Sequence, residues 1–331
     1  MKKYQVYGVG NGLLDMEFSV TLDLLEILKI DKGVMTLVDE KQEKEILNKL
    51  SHLPCNKSSG GSAANTLVAF SQFGGQGFYS CKVANDEAGH FFLEDLSASG
   101  LHTNLHPENL ENGTTGKCLV FVTPDADRSM NTFLGITGDI TPKDLVADAI
   151  LASEYLYLEG YLVSSATGLE TLLKAKEIAR SAEVKVAFSL SDPNMVEYFS
   201  SGIFAVLESG VDLLFANETE ASKLAKSNNL LETISYLKTV SNSFALTLGA
   251  KGSLLYHDEA LIEIDPVKVK AVDTVGAGDM YAGAFLYGLT HGLTGGASGD
   301  LASLASSTIV TQYGPRLKID QVQNILKVFK K

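Results

Sequence analysis

The feature that most constrains the fold is a repeated alternation between short runs of β-branched or aromatic residues and longer stretches with helical periodicity. Helical patterns such as 166–181 and 218–226 separate the runs. Strand–helix alternation predicts an α/β fold, with a doubly wound, mostly parallel sheet that helices cover on both faces. The strand candidates are residues 4–8, 77–83, 154–158, 184–189, 211–215 and 244–248.

Two regions break this alternation. Residues 13–20 alternate between apolar and polar side chains, which predicts a strand with one face exposed to water or a cleft. Residues 117–123 and 129–134 flank the turn-rich segment 124–127 and predict a hairpin. Together with residues 34–38, these segments predict a small β-sheet lid. We expect the lid to comprise residues 11–40 and 104–136, and the large domain 1–10, 41–103 and 137–331.

The charge of the chain argues against two classes of partner. The 331 residues carry a formal net charge of −13, so the surface should repel nucleic acid and acidic membranes. No apolar run approaches the roughly 18 residues that span a bilayer, and the first segment becomes polar too early for a signal peptide. The three cysteines show no C-x-x-C spacing, which is typical of a reducing compartment. We therefore expect a cytoplasmic protein.

The segment with the strongest chemical signal is V-D-T-V-G-A-G-D at 272–279. The small residues Gly276, Ala277 and Gly278 allow the backbone to approach a ligand closely. An apolar stretch follows at 280–289 and predicts a buried helix, whose N-terminal N–H groups would attract an anion. Asp279 can either cap this helix or act as a base beside a bound phosphate, and the spacing alone does not decide between the two.

Two further segments allow both a structural and a functional interpretation. Gly60 and Gly61 precede a helix of small residues, and Asn65 in its first turn can reach a hydroxylated ligand. Asn217 and Glu220 have the spacing of a capping box, which explains them fully. However, they also follow a predicted parallel strand, and open α/β sheets bind ligands at that end of their strands.

Several common types of binding site are excluded because the sequence lacks their motifs. Residues 8–13 contain G-x-G after a strand, but the third glycine and the following helix of a dinucleotide site are missing. No segment matches the G-x-x-x-x-G-K-[ST] phosphate loop, and the six histidines show no metal-ligand spacing. The sequence therefore predicts neither a P-loop enzyme nor a zinc enzyme.

Together these segments resemble the ribokinase-like (PfkB) family of carbohydrate and nucleoside kinases. The resemblance runs from residue 8 to about residue 316 and rests mainly on D-T-x-G-A-G-D at 273–279 and G-G-S-x-x-N at 60–65. It implies a kinase that transfers phosphate from ATP to an alcohol group. Asp279 would be the catalytic base, and the backbone of 276–278 would hold the phosphoryl charge. Asn217 and Glu220 match the family's N-x-x-E motif, which organises Mg²⁺ through water.

The resemblance also assigns the nucleotide side of the site. Thr247, Gly249 and Gly252 match the family's T-x-G-x-x-G nucleotide loop, and the resemblance implies that Asn217 also binds the nucleotide. Whether a monovalent cation binds near Asp273 and Gly314 is not decided by the sequence.

Within the family the likeness is strongest to the adenosine kinases. Residues 10–15 are similar to their G-N-P-L-L-D opening, with glycine at position 12 in place of proline. The resemblance implies that ribose hydroxyls bind to a set of five residues, and that a lid arginine, Arg128, closes over the phosphates. The five residues are Asn11, Asp15, Gly60, Gly61 and Asn65.

Three functions stay open at this point. The first is a nucleoside kinase acting on a ribose 5′-hydroxyl. The second is a sugar kinase acting on ribose, fructose or a keto-deoxy sugar acid. The third is a catalytically silent binding protein on the same fold, against which the intact Asp279 and its glycine-rich turn argue. We expect a small-molecule substrate in each case, and either a monomer or a homodimer.

Overall fold

The computed structural model describes residues 2–125 and 128–329. The predicted turn at 124–127 therefore lies partly outside the described residues, since it includes Ala126 and Asp127. The described residues form fourteen strands. They are β1 (Tyr4–Val9), β2 (Leu13–Ser19), β3 (Met35–Leu37), β4 (Asn56–Gly60), β5 (Gly77–Ser80), β6 (His102–Thr103), β7 (Thr115–Val122), β8 (Arg128–Gly135), β9 (Ser153–Glu159), β10 (Lys185–Ser189), β11 (Val211–Asn217), β12 (Ser241–Thr247), β13 (Ser253–His257) and β14 (Ala260–Ile264).

The same described residues form thirteen α-helices. They are α1 (Leu22–Leu28), α2 (Glu40–Leu50), α3 (Ser62–Gln72), α4 (Glu87–Ala98), α5 (Ala147–Leu151), α6 (Ala166–Ser181), α7 (Pro193–Tyr198), α8 (Ser200–Leu207), α9 (Glu218–Ala225), α10 (Leu230–Val240), α11 (Ala277–Thr290), α12 (Gly295–Ile309) and α13 (Ile319–Phe329). In the described part of the chain, no helix is both long enough and apolar enough to cross a membrane.

The large sheet has nine strands in the order β14-β13-β12-β11-β10-β9-β1-β5-β6. All neighbours from β12 to β6 are parallel, and β13 and β14 continue the sheet as an antiparallel edge. Successive residues of one strand enter different cores: Tyr155 and Tyr157 pack with α3, α11 and α12, whereas Leu156 and Leu158 pack with α6 and α8. The predicted doubly wound fold is confirmed, because helices bury both faces of the parallel strands.

One predicted strand is shorter in the structure. The prediction covered 77–83, but β5 ends at Ser80. The Cys81 N–H donates to the Asn104 side chain at 3.1 Å, and the Cys81 carbonyl accepts from the same amide at 2.9 Å. A side chain therefore takes the place of a neighbouring strand, and residues 81–83 continue without extending the sheet.

The second, smaller sheet has the strand order β3-β8-β7-β2-β4. The predicted hairpin is present as the antiparallel pair β7 and β8. Residues 56–60, which the sequence analysis included in the large domain, pair with β2 in this sheet as β4. Their sequence N-K-S-S-G has no apolar alternation, so it carries no strand signal. The division of the chain into two domains stays a prediction.

The two faces of the small sheet differ in what covers them. On the outer face, Phe18 and Phe121 form a core with Ile46 and Leu50 of α2. The inner face, which includes Val120 and Met130, borders a cavity of about 430 Å³ that it shares with the large sheet. The small sheet therefore forms one wall of the site.

Candidate functional site

The cavity lies where the parallel strands of the large sheet end. Asn11 follows β1, and Glu159, Ser189, Asn217 and Thr247 are the last residues of the next four strands, β9 to β12. This end of an open α/β sheet is the usual place for a ligand.

The segment between Asp273 and α11 forms a tight turn at the floor of the cavity. Asp273 is buried, and its carboxylate accepts hydrogen bonds from the N–H groups of Val275 (2.9 Å) and Gly314 (2.8 Å). Gly276 caps α11 with a φ of 74°, and a Cβ there would lie 2.7 Å from Pro315. Both the conformation and the space therefore require glycine at position 276.

The first turn of α11 faces the cavity. Gly278 has open space beside its Cα: among the described residues, a Cβ added there would meet no atom within 4 Å. The Ala277 N–H donates to the Thr274 carbonyl at 3.3 Å, whereas the N–H groups of Gly278 and Asp279 lie at the helix start, where no preceding turn supplies an acceptor. The turn therefore presents backbone donors and a helix N-terminus to the cavity, which suits an anion.

The Asp279 side chain contacts a neighbouring helix. Its Oδ1 accepts from Ser62 Oγ at 2.7 Å and its Oδ2 from Asn65 Nδ2 at 3.3 Å, both on α3. Within the described chain, no side-chain hydrogen bond caps α11. Enclosure by protein raises the pKa of Asp279 to about 6, although these two donors and the Arg316 charge act in the opposite direction. The carboxylate is therefore available to a group in the cavity rather than used as a helix cap.

The glycines before α3 are required by close contacts. A Cβ on Gly60 would lie 2.0 Å from the Asp15 carboxylate, and one on Gly61, whose φ is 99°, would lie 2.1 Å from the Asn11 carbonyl. The structure thus brings together Asn11, Asp15, Gly60, Gly61 and Asn65, five residues that the sequence analysis grouped.

Asp15 projects from β2 into the cavity. Within residues 2–125 and 128–329, its carboxylate accepts no hydrogen bond from the protein. Burial raises its pKa to about 7; the charges of Arg316 and Arg128 lower it, and that of Asp279 raises it. A half-buried carboxylate with free acceptor positions is suited to receive hydroxyl donors from a ligand.

Glu159 is a site residue that the sequence analysis missed. It is completely buried at the end of β9, and its carboxylate accepts from Asn11 N (2.9 Å), Asn11 Nδ2 (2.6 Å) and Ala63 N (2.7 Å). Burial raises its pKa to about 7. A Cβ on Gly10 would lie 2.4 Å from Glu159 Oε2, so this glycine makes room for the carboxylate. The only sequence signal is a carboxylate at the end of a buried strand.

Arg128 begins β8 at the rim of the cavity and is buried. Its Nη1 donates to Glu17 Oε2 at 2.9 Å, and its guanidinium also forms an ion pair with Asp273. Because Asp273 holds the turn before α11, this ion pair joins the small sheet to the anion-binding turn. Contact of Arg128 with a phosphate stays a prediction.

Asn217 and Glu220 form a complete capping box at the start of α9. The Glu220 carboxylate accepts from Asn217 N (2.9 Å) and Asn217 Nδ2 (2.6 Å), and Asn217 Oδ1 accepts from Glu220 N at 2.9 Å. Burial raises the pKa of Glu220 to about 7. Both residues also line the cavity, so the structural explanation holds and the position is still compatible with a ligand role.

The residues of the predicted nucleotide loop differ in whether they line the cavity. Thr247 ends β12 and lines the cavity. Gly249 and Gly252 lie in the following turn with positive φ values of 59° and 93°, and among the described residues they are not part of the cavity wall. A Cβ on Gly252 would lie 2.2 Å from the Ile264 carbonyl, which explains this glycine by backbone contact alone.

Comparisons with known proteins agree on one family. The family description "pfkB family carbohydrate kinase" matches residues 25–321. The adenosine kinase of Sinorhizobium meliloti is 32% identical with a TM-score of 0.92, covering 98% of this chain and 99% of that one. A probable sugar kinase of Rhizobium etli CFN 42 is 29% identical with a TM-score of 0.92, covering 99% of this chain and 100% of that one. The adenosine kinase of Saccharomyces cerevisiae is 26% identical over 95% of this chain and 97% of its own length.

Proposed function

Because the chain belongs to the pfkB family of carbohydrate kinases, we propose that it transfers the γ-phosphoryl group of ATP to the ribose 5′-hydroxyl of a nucleoside. The main observation that supports a nucleoside as the acceptor is the cavity wall formed by the small sheet. It combines the Asp15 carboxylate, whose acceptor positions are free, with an apolar surface beside it. The apolar surface is formed by Leu13, Met35, Cys118, Val120, Met130 and Leu134.

The two parts of this wall suit two parts of one ligand. Asp15 can accept hydrogen bonds from two adjacent hydroxyls of a ribose. The apolar surface would gain about 25 cal/mol for each Å² that it buries against a nucleobase, whereas a free sugar would place hydroxyl groups against it without partners. The similarity to adenosine kinases supports the same acceptor class.

The turn at the floor of the cavity supports phosphoryl transfer. We assign to Asp279 the removal of the acceptor hydroxyl proton as its oxygen attacks the γ-phosphorus and ADP leaves. The backbone of Gly276, Ala277 and Gly278 shapes the turn, and the N–H groups of Gly278 and Asp279 stabilise the negative charge on the transferring group. Asn65 and Ser62 hold the Asp279 carboxylate towards the cavity.

The residues fit a magnesium ion held through water. No group of three acidic, histidine or cysteine side chains in the described part of the chain could bind a metal directly. Asn217 and Glu220 satisfy each other but retain acceptor lone pairs, so they can orient waters of a Mg²⁺ bound mainly by phosphates. When bound, Mg²⁺ neutralises charge on the β- and γ-phosphates.

A monovalent cation at Asp273 fits less well. Both carboxylate oxygens already accept backbone N–H groups, and the Arg128 guanidinium pairs with one of them. No step of the proposed reaction therefore uses such an ion. Oligomeric state and a cytoplasmic location stay predictions.

An acceptor screen tests the proposal. ADP release should be measured with adenosine, guanosine, inosine, ribose and fructose, together with 2′-deoxyadenosine. We expect a nucleoside to give the highest kcat/KM, and its 2′-deoxy form to be poorer. Good turnover of ribose or fructose, with none of any nucleoside, would instead establish a sugar kinase. No turnover of any acceptor, with retained binding, would favour a silent binding protein.

The variant Asp15→Ala tests whether the Asp15 carboxylate binds the hydroxyl groups of the acceptor. Loss of a diol acceptor in a closed site should weaken binding by roughly 1–3 kcal/mol. The effect should appear in KM for the acceptor more than in kcat, because the diol is held equally in the ground and transition states. The control is Asp23→Ala, which removes an exposed carboxylate of α1 on the same lid. Equal kinetics for the two variants would contradict the assignment of Asp15.

A further inference from the structure

The segment 312–317 is held against the site by several independent contacts. Its Gly314 N–H donates to Asp273, and Pro315 packs on Gly276. The Arg316 carbonyl accepts from Gln312 Nε2 at 3.1 Å, and the following carbonyl, of Leu317, accepts from Gln72 Nε2 at 2.8 Å. These bonds fix the backbone on both sides of the Arg316 side chain.

The Arg316 side chain lies mostly buried between α3 and α4. Its Nε donates to Asn65 Oδ1 at 2.9 Å, and its Nη1 forms an ion pair with Asp95 of α4. Because the guanidinium has only donors, it must face the amide oxygen of Asn65 rather than the amide nitrogen. The nitrogen of Asn65 is then turned towards Asp279.

The opposite orientation of the Asn65 amide would be unfavourable at both ends. It would place the amide oxygen against the Asp279 carboxylate and the amide N–H₂ against the Arg316 guanidinium. Both contacts bring together groups of the same polarity, and neither hydrogen bond could form.

We propose that Arg316 is a positioning residue for phosphoryl transfer, because it locks the Asn65 amide in the orientation that donates to Asp279. The inference rests on the proposed role of Asp279 as the base. Arg316 itself touches neither the acceptor proton nor the transferring group; it acts through Asn65.

The groups around Asp279 make its ionisation sensitive to this arrangement. Arg316 is the cation whose charge lowers the pKa of Asp279, against the effect of burial. The neighbouring acidic groups have raised pKa values themselves, and each is coupled to the Asp279 charge. The titratable groups that face Asp279, besides Arg316, are Asp15 of β2, Tyr157 and Glu159 of β9, Tyr161 after β9, and Glu220 of α9.

The sign of the expected effect follows from this environment. Losing the Arg316 charge and its hold on Asn65 raises the pKa of Asp279. A base must be deprotonated to act. As the pH falls, a variant that lacks Arg316 should therefore lose activity at a higher pH than the wild type does. For a rise from about 6 to about 7, kcat at pH 6 falls about fivefold, and it recovers above about pH 8.

The test is the pH profile of kcat for Arg316→Met with the best acceptor. We expect its acid limb to move up by about one pH unit. Arg316→Lys should move it in the same direction by less, since a lysine keeps the charge but cannot bond Asn65 and Asp95 with one rigid fork. The control is Arg180→Met on α6, whose guanidinium donates to Ser209 and Gly210 and should leave the profile unchanged when it is lost.

Testing Arg316→Met in a second variant, Asn65→Leu, distinguishes an effect through the Asn65 amide from a direct effect of the Arg316 charge on Asp279. In Asn65→Leu, the added Arg316→Met change should shift the acid limb clearly less than in the wild-type background, because only the direct effect of the Arg316 charge on Asp279 remains there. A full additional shift in this background would overturn the inference, and so would an unmoved acid limb in folded Arg316→Met or Arg316→Lys protein.

Two measurements distinguish a failure of the inference about Arg316 from a failure of the proposed role of Asp279 as the base. An Asp279→Asn variant that keeps its activity would refute the base itself, whatever Arg316 does. The Asp279 carboxyl carbon can also be titrated by ¹³C NMR without any acceptor, with Asp279→Asn used to assign its signal. Its midpoint should rise in Arg316→Met, and an unchanged midpoint would contradict the inference.

Discussion

Two glycines of the same turn provide a paired test of the anion-binding site. Gly276 has a φ of 74° and a Cβ there would meet Pro315 at 2.7 Å. Gly278, two residues later, lies in the first turn of α11, and a Cβ there would meet nothing within 4 Å among the described residues. Alanine should therefore lower stability at position 276 but not at position 278, where it should affect activity alone.

Gly276→Ala should destabilise the protein. The left-handed conformation costs an alanine about 1–2 kcal/mol, and the contact with Pro315 adds about 1–3 kcal/mol. At roughly 2 °C per kcal/mol for a large domain, the melting temperature should fall by about 4–10 °C. The turn should lose its shape as well, so activity falls with stability.

Gly278→Ala should leave the fold intact and damage the reaction. An alanine in a helix is more favourable than glycine by up to about 1 kcal/mol, so the melting temperature should stay the same or rise slightly. The new methyl group, however, would occupy the open space proposed for the transferring phosphoryl group beside the backbone donors. Loss of such a donor lowers kcat by about 10²–10³-fold in comparable sites.

The assays are thermal unfolding and ADP release with the best acceptor. Gly296→Ala is the control, since that glycine lies on α12 with 3.9 Å to the nearest side chain and faces no part of the cavity among the described residues. Gly278→Ala protein that keeps more than about a tenth of the wild-type kcat/KM would refute the placement of the phosphoryl group at this turn. Unchanged melting of Gly276→Ala would refute the backbone argument.

Two further predictions concern polar residues of the cavity. Asp279→Asn should lower kcat by about 10²–10⁴-fold while ATP still binds, measured by ADP release and calorimetry; a loss smaller than about tenfold would mean that Asp279 is not the base. Asn217→Ala and Glu220→Ala should each shift the Mg²⁺ dependence of the rate to higher concentration, measured by titration. An unchanged titration with a lower melting temperature would leave only the capping-box role.

The elements that the sequence predicted well are those with a local signal. Helix α6 occupies the predicted residues 166–181, and β7 and β8 form the predicted hairpin, because periodicity and turn residues are encoded within each segment. The grouping of Asn11, Asp15 and Asn65 came from motifs of the family resemblance. Strand β4 was missed because its polar sequence pairs with β2 only through the tertiary structure.

The missed site residues are defined by contacts between distant parts of the chain. Glu159 binds Asn11 across 148 positions, and Arg316 binds Asn65 across 251 positions. Neither residue belongs to a short motif that indicates a carboxylate binding helix α3 or a guanidinium orienting an amide. Only the strand order, which places β1 beside β9, brings Glu159 to Asn11.

The charges of the site show how a protein with a net charge of −13 can bind an acidic nucleotide. Asp15, Asp279 and Glu220 line one cavity, and burial raises the pKa of each of them. A bound phosphate would raise these pKa values further, since like charges disfavour each other. Arg316, on the segment after α12, acts against this effect by lowering the pKa of Asp15 and of Asp279, and Arg128, on the small sheet, lowers that of Asp15. The charge of Arg316 therefore favours the ionised form of Asp279 when a phosphate is bound nearby, which a base in this position requires.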